Sequence, residues 1–499
     1  MNLVKWRLAF GGFRRWTVTA LATRQSPRAR TRLILALLIF VLAFAIRSLH
    51  AVDLAPSMYT TQQPFNGLTE TYDLRAVSIR RGDGLLGPYD IDPSDTTWTT
   101  QAPGYSIFLS AVYSIFGRDF FKAQLVQNLL NSVSAILILL IGGSLISWRV
   151  GVASGVLAAL SHHLAHISNF ILPDAMHALP VLAAVYLLVI ARRARHDYWF
   201  YGAAGLMIGL ASWLRAQTML LGFFVLVILV IVSSRRWFVV KRSAVAAIIS
   251  LLVITPITIR NYVVYGAFIP IQVGTGLNLW EGIGDASGDR FGAVREDTEV
   301  AKQEGELYGD PRYAGSWTTP DGIKRDRDRT RRSLDIILRH PIWYAGVMLG
   351  RCGDMLKYSA QAPLVLGSAR SGAGQEPAPI KRGWDEINRD RSSLIVGDRI
   401  FWMRPIVRAL QRIAKEAMLG FILLGAMILF AASWRRALFI SIVPLYYFLF
   451  QSAMHTEFRY TLPMQYFAFV FAAVVWVLII AGISTGIRAV VAKKPHSAG

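Results

Sequence analysis

The chain has 499 residues, 54% of them hydrophobic, with a mean hydropathy of +0.41 and a formal net charge of +22. Its apolar residues come in blocks near bilayer length, which excludes an ordinary soluble domain, and the short alternating segments of a membrane β-barrel are absent. The single cysteine, Cys352, excludes an intramolecular disulfide and a cysteine-based zinc site.

The positive charge does not point to nucleic acid. Many Lys and Arg sit in short connections between apolar blocks, the pattern that sets orientation in a membrane, so no nucleic-acid partner is expected. Residues 1–32 read as a basic cytoplasmic N-terminus and 33–49 (Leu33–Leu49) as a first, uncleaved transmembrane helix. Residues 50–120 form a first outer loop. It holds a predicted helix from Glu70 to Ile79, an Asp/Gly/Pro-rich loop with Asp83, Asp90, Asp92 and Asp95, and an apolar helix, Tyr105–Phe116, opened by Pro103-Gly104. That second helix is short for a span and would reverse everything downstream if it crossed, so it reads as interfacial or re-entrant.

Residues 121–259 read as a transmembrane bundle. Its predicted helices are Gln124–Ile146, Val150–Ser168, Met176–Ile190, Tyr201–Leu214, Thr218–Val232 and Ala244–Ile259. A polar hinge lies at Asn169–Asp174 and a break at Arg215. Residues 260–404 are rich in Gly, Asp and Arg and read as a mainly helical outer segment, with Ile342–Leu356 interfacial. Residues 405–487 carry C-terminal spans at Met418–Ala432, Leu438–Phe450 and Pro463–Ile483, and 488–499 form a cytoplasmic tail. The basic clusters at Arg192/Arg193/Arg195, Arg235/Arg236/Lys241/Arg242 and Arg435/Arg436 fall on one side. The predicted fold is therefore an all-α polytopic membrane bundle of about ten spans with both ends cytoplasmic.

On the other side collect Glu70, Asp73, Asp174, Arg215, Arg260, Asn261, His455, Glu457 and Arg459. Ionisable residues at the bilayer rim are costly and mark functional sites. Glu70 and Asp73 lie one turn apart, so either could serve as a general base; on spacing alone, capping of a helix start at Thr69 is the simpler account. Asp174, in Leu-Pro-Asp-Ala, could likewise orient an acceptor or cap its own helix. A divalent cation such as Mg or Mn would need oxygen ligands from two such acids, Glu70 and Asp174. Arg215, Arg260 and Arg459 each abut an outer helix end and could together hold a phosphate or act as interfacial anchors. His162 and His166 lie four apart on one helical face, suiting either a metal pair or, more simply, hydrogen-bonded packing. No GxSxG, HExxH or P-loop pattern is present.

Four stretches, in this order, carry a resemblance: Glu70-Thr-Tyr-Asp-Leu-Arg-Ala76 with Pro103-Gly-Tyr-Ser-Ile-Phe-Leu109; Gln124–Gln127 with Leu172-Pro-Asp-Ala175; Arg260-Asn-Tyr-Val-Val-Tyr-Gly266 with Gly276-Leu-Asn-Leu279; and Arg459-Tyr-Thr-Leu-Pro463. On these the chain resembles bacterial GT-C fold membrane glycosyltransferases, in the protein-mannosyltransferase-like (family 39) and aminoarabinose-transferase-like group. The resemblance implies a helix bundle of about 10–11 spans in the bacterial inner membrane, with its active site on the periplasmic face. It also implies an inverting transfer from a polyprenyl-phosphate sugar to a lipid, glycan or protein acceptor. Tyr72 and Ala76 keep the family's Tyr-to-Ala spacing, but Leu68 and Thr69 stand where its acidic base usually lies, so Glu70 and Asp73 both remain candidates for that role. Asp174 matches the family's second outer-loop acid. Gln101 stands where a basic residue is common, which shifts expected phosphate contact to Arg260 or Arg459. The other reading of the chain is a transporter, flippase or ligase acting on lipid-linked glycans.

Overall fold

The computed structural model describes residues 27–55, 58, 66–86, 99–192, 194, 197–233, 236–356 and 404–492. Most of the basic N-terminus, the acids Asp90, Asp92 and Asp95, the cluster residues Arg193, Arg195 and Arg235, and the tail lysines Lys493 and Lys494 lie outside them. So do residues 357–403 of the outer segment.

Among the described residues the protein is helical, with no strand. The first helix, α1 (Ala29–Leu54), is followed by α2 (Asn66–Arg81) and the short apolar α3 (Gly104–Phe116). Next come α4 (Phe120–Leu145), α5 (Trp148–Leu160), α6 (His162–Ile167), α7 (Pro173–Ala191) and α8 (Tyr198–Leu214). After a single 3-10 turn, α9 (Leu221–Val232) and α10 (Arg236–Tyr265) complete the central bundle. The outer segment holds α11 (Thr275–Ser287), α12 (Asp297–Tyr308), α13 (Gly322–Arg339) and α14 (Pro341–Leu356). The chain ends in α15 (Arg404–Ile440), α16 (Ile442–Phe450) and α17 (Leu462–Ala492).

This is a multi-pass membrane protein. Among the described residues five helices are long and apolar enough to cross a bilayer: Ala29–Val52, Phe120–Leu145, Arg236–Tyr265, Ala417–Ile440 and Arg459–Ser484. A helix of 26 residues such as α4 is about 39 Å long, against roughly 30 Å of hydrocarbon. Four shorter apolar helices accompany them. Lipid-facing apolar residues remain exposed on α1, as at Leu33, Leu37, Leu38 and Val41. The core is built on α4, which packs against α1, α5 and α7, while α17 packs against α5, α7 and α15.

Several predicted boundaries change for identifiable reasons. The expected helix Val150–Ser168 is two, because Ser161 turns to an extended conformation and its hydroxyl caps α6 by accepting from the Leu164 amide at 3.3 Å. The helix expected to end at Ile259 continues to Tyr265, so Arg260 and Asn261 lie inside α10 instead of in a loop. The span predicted at Leu438–Phe450 is interrupted at Ser441, and α15 is broken at Ser433, where φ/ψ leave the helical region. Helix α2 begins at Asn66, so Glu70 is not in its first turn and does not cap it.

The histidines seen in sequence as a possible metal pair gain a third neighbour from α1. His50 Nε2 and His162 Nδ1 lie 3.2 Å apart, and the His50 and His166 ring centroids are 6.4 Å apart. The first contact is a hydrogen bond between buried imidazoles that ties α6 to α1.

Helix α3 packs on the end of α8 with almost no clearance. A Cβ placed on Gly104 would lie 2.5 Å from the Trp213 carbonyl oxygen, so Pro103-Gly104 opens this helix because nothing larger than hydrogen fits there. Gly104→Leu is expected to cost about 1–3 kcal/mol through overpacking, read as a lower melting temperature in detergent; an unchanged melting temperature would mean that α3 does not press on α8.

Candidate functional site

At one end of the bundle α2, α7, α11, α16 and the start of α17 surround an open cavity of about 760 Å³. Its position depends on a polar clamp. The backbone between α6 and α7 leaves helical geometry, and its carbonyl groups need partners inside the bundle. They find them on α4: Gln124 Nε2 donates to Asn169 O at 2.7 Å, and Gln127 Nε2 donates to Ser168 O and Phe170 O at 2.5 and 3.0 Å. Asn128 Nδ2 donates to Asn169 Oδ1 at 2.8 Å, and Asn169 Nδ2 reaches back to Arg47 O at 3.0 Å. This network fixes Leu172-Pro173, and so sets Asp174 in the first turn of α7, where the helix N-terminus favours an anion.

Asp174 is 2% exposed and lines the cavity. It is not a cap, since Leu172 occupies the N-cap position and no side-chain cap bond forms. Its Oδ1 accepts from Arg215 Nη2 in a buried ion pair, and its Oδ2 is buried without a hydrogen-bond partner. Arg215 lies in the break between α8 and α9, and its guanidinium carbon stands 4.6 Å from the Tyr460 ring centroid. Arg459 approaches the same ring at 5.1 Å. Glu457 holds Arg459 bidentately, at 2.6 Å to Nε and 3.0 Å to Nη2, and accepts from Tyr460 Oη at 3.1 Å. Burial alone would raise the Glu457 carboxyl, but Arg459 overrides it and keeps the pKa below the usual carboxylate value. Two cationic groups thus line the cavity beside one tyrosine ring.

The remaining expected site residues divide. Tyr72 and Gln101 line the cavity, Tyr72 stacking edge-on against Tyr105 with centroids 5.3 Å apart. His455, Glu457 and Arg459 line it as well. Asp73 does not: it is fully buried between α2 and α3, accepting from Tyr113 Oη at 2.8 Å and from Arg118 Nη2 in an ion pair. That arrangement ties two helices together. Glu70 does not line the cavity either. At about 100° per residue it lies across the helix from Leu68 and Tyr72, the two residues of α2 that do. Arg260 and Asn261 bond to each other at 2.8 Å, and Asn261 Nδ2 donates to Ile269 O and Ile271 O, holding the chain that follows α10. Neither lines the cavity.

Glu70 and Asp174, the pair expected to share Mg or Mn, therefore do not both line this cavity. Among the described residues no group of three His, Cys, Asp or Glu is arranged to hold a metal.

Sequence reading missed Gln217, Tyr446, Tyr447 and Glu281, which all line the cavity. Gln217 Nε2 donates to Tyr447 Oη at 3.2 Å and to Tyr460 O at 2.9 Å, fastening the α8–α9 break to the start of α17. On α11, Asn278, Glu281 and Asp285 share one helical face, a signal that was present in the spacing. Burial raises the Glu281 pKa to about 8, with Asp297, Asp285 and Glu457 adding to the effect and His455 opposing it. The cavity thus brings Arg215 and Arg459, each paired with a carboxylate, together with Glu281 of α11 and with Glu296 and Asp297 at the start of α12.

Residues 100–259 match a family model described as dolichyl-phosphate-mannose-protein mannosyltransferase, which covers less than half of the chain. No curated protein matches it. Among solved structures, the apo form of the Archaeoglobus fulgidus oligosaccharyltransferase is similar with a TM-score of 0.50 at 12% identity, over 91% of this chain and 52% of that one. The same archaeal enzyme, AglB, in complex with an inhibitory peptide and a dolichol-phosphate, gives 0.47 at 13% identity, over 93% and 52%. ArnT from Cupriavidus metallidurans bound to undecaprenyl phosphate gives 0.39 at 15% identity, over 88% and 76%. The chain spans about half the length of the archaeal oligosaccharyltransferase. The architecture is that of the GT-C fold group, as the sequence resemblance implies.

Removing one partner of a buried ion pair leaves the other charge uncompensated, at about 3–5 kcal/mol. Arg215→Ala is therefore expected to lower the melting temperature in detergent more than the double variant Asp174→Asn/Arg215→Gln does. Equal losses would show that the pair is not coupled.

Proposed function

We propose that this protein is a membrane glycosyltransferase that takes a sugar from a polyprenyl-phosphate donor and transfers it, with inversion, to an acceptor hydroxyl in the cavity. The observation that carries the reading is the placing of Arg215 and Arg459 beside one ring, that of Tyr460, in a cavity that also holds carboxyl groups. A lipid phosphate entering at the rim of the bundle would meet two guanidinium groups, each already oriented by a carboxylate. Charge developing on that phosphate as the glycosidic bond breaks is what such fixed donors stabilise best. The matched family's lipid-phosphate donor and the fold shared with an oligosaccharyltransferase support the reading.

In this reading Asp174 holds Arg215 at the donor phosphate, and Gln101 and Tyr72 line the approach. Asp73 serves the scaffold, and Arg260 with Asn261 serves the loop after α10. The proposed setting is the bacterial inner membrane, with the cavity on the periplasmic face and both termini cytoplasmic. The placing of Arg192 and Arg436 together in a second cavity, at the end of α7 remote from Asp174, fits that orientation. A transporter or flippase would be expected to hold its polar groups near the bilayer midplane, whereas here the polar cavity sits at one end of the bundle.

The test is reconstitution of the full chain in liposomes with a panel of radiolabelled polyprenyl-phosphate sugars and an envelope extract as acceptor. Label should move to the extract, and Arg459→Ala should reduce the rate by about 10²–10³-fold. Label that crosses the bilayer with no acceptor present, and is never transferred, would support the flippase reading instead.

A further inference from the structure

Among the described residues, Asp174, Glu281, Glu296, Asp297 and Glu457 line the cavity with carboxyl groups, and Asp297 Oδ1 accepts from the Thr298 amide at 2.8 Å. Asp174 is paired with Arg215 and Glu457 with Arg459, while Glu281, with a pKa raised to about 8 by burial, is largely protonated at neutral pH. The two acids expected from the first outer loop, Glu70 and Asp73, do not line the cavity. Among the described residues one imidazole also lines the cavity, that of His455. Its Nδ1 lies 2.5 Å from Asp285 Oδ2 of α11. Asp285 is an anion held also by Arg295 Nε at 3.1 Å, so it accepts, and His455 Nδ1 carries the proton. The lone pair then belongs to Nε2, which stands 3.9 Å from Glu457 Oε1, beyond hydrogen-bonding distance.

The chain holds this imidazole in place from several directions. The His455 amide donates to Asn278 O at 2.8 Å, and Gln451 Nε2 donates to His455 O at 3.0 Å. A Cβ on Gly282 would lie 2.7 Å from the His455 nitrogen, so α11 and the segment before α17 touch through a glycine. Arg351 of α14 donates to both Ser452 O, at 3.0 Å, and Gly282 O, clamping the two strands of chain that carry His455 and Asp285. Glu457, bonded to Arg459, also stands 3.9 Å from Nε2, so a single carboxylate separates the imidazole from that guanidinium.

Resting on the glycosyl-transfer reading above, we infer that the Asp285–His455 dyad is the general base of this site. His455 Nε2 takes the proton of the acceptor hydroxyl as its oxygen attacks the anomeric carbon. The new carbon–oxygen bond forms as the bond to the lipid phosphate breaks, and that bond's electron pair leaves on polyprenyl phosphate, between Arg459 and Arg215. Asp285 acts through the imidazole as a positioning residue, fixing the tautomer and favouring the imidazolium that forms.

The sign of the pH dependence follows. The hydrogen bond to Asp285 raises the His455 pKa; burial opposes this, and Glu281 and Glu457 add to the rise. The charged groups around it are Asp285 and Glu281 on α11, Glu457 and Arg459 after it in sequence, Arg295 through Asp285, and Arg351 beside Gly282. The neutral imidazole is the base, so activity is present above the raised pKa and is lost as pH falls through it.

The experiment uses the reconstituted full chain and the donor that the wild type accepts from the panel. His455→Gln is expected to lower kcat by at least ~100-fold with the donor KM little changed, and imidazole added to His455→Ala should restore part of the rate. Asp285→Asn is expected to move the acid limb of the pH profile to lower pH, because the favoured imidazolium loses its anion. A His455→Gln rate within about threefold of wild type, or an Asp285→Asn limb at the wild-type pH, overturns the assignment while leaving the transfer reading intact. Should His455→Gln fail to fold, the Asp285→Asn profile decides alone. A wild type that transfers no sugar from any donor overturns both.

Discussion

The site depends on how the bundle satisfies the backbone between α6 and α7. Inside a membrane, carbonyl and amide groups that leave helical geometry must find partners within the protein. Here the side chains of Gln124, Gln127 and Asn128 on α4 supply them, with Asn169 turning back to the end of α1. Once Ser168–Phe170 is held, Pro173 can start α7 at a fixed point, and Asp174 is presented at a helix N-terminus under low exposure. Arg215 answers that buried charge, and through its contact with Tyr460 it aligns the break between α8 and α9 with the start of α17.

A second set of contacts builds the opposite wall. Helix α11 belongs to the outer segment, remote in sequence from the chain before α17, yet the two meet at Gly282 and His455 without clearance. Arg351 makes that meeting rigid by donating to a carbonyl on each side. The outer segment is itself anchored by a buried cluster in which Glu304 accepts from Arg325 and Arg329 at 2.7 Å each. The two arginine–carboxylate pairs and the carboxyl groups of α11 are therefore carried by parts of the chain remote from one another in sequence.

Much of this was legible in the sequence. Helical class, membrane habit and the shortness of the helix after Pro103-Gly104 follow from apolar block length and from where charge interrupts it, and Asp174, Arg215, His455, Glu457 and Arg459, expected on one side, line one cavity. Glu70 and Asp73 show the limit. Spacing correctly put them on a helix, but the helix starts at Asn66 and its cavity face runs through Leu68 and Tyr72. Asp73 is consumed by Tyr113 and Arg118, a partnership formed across a loop whose closure local pattern does not encode.

The sequence by itself determined the solvent each segment lives in, because transfer free energy is close to additive along a chain and needs no partner to be read. It also determined which ionisable residues stand at the ends of apolar runs. Only the tertiary structure decided which of them share a cavity. It withdrew Arg260 and Asn261 to the chain after α10, kept Arg459 with Arg215, and brought Asp285 to His455 across 170 positions of sequence. Those outcomes rest on pairing buried charges and satisfying interrupted backbone, which are properties of packed neighbours rather than of neighbours in sequence.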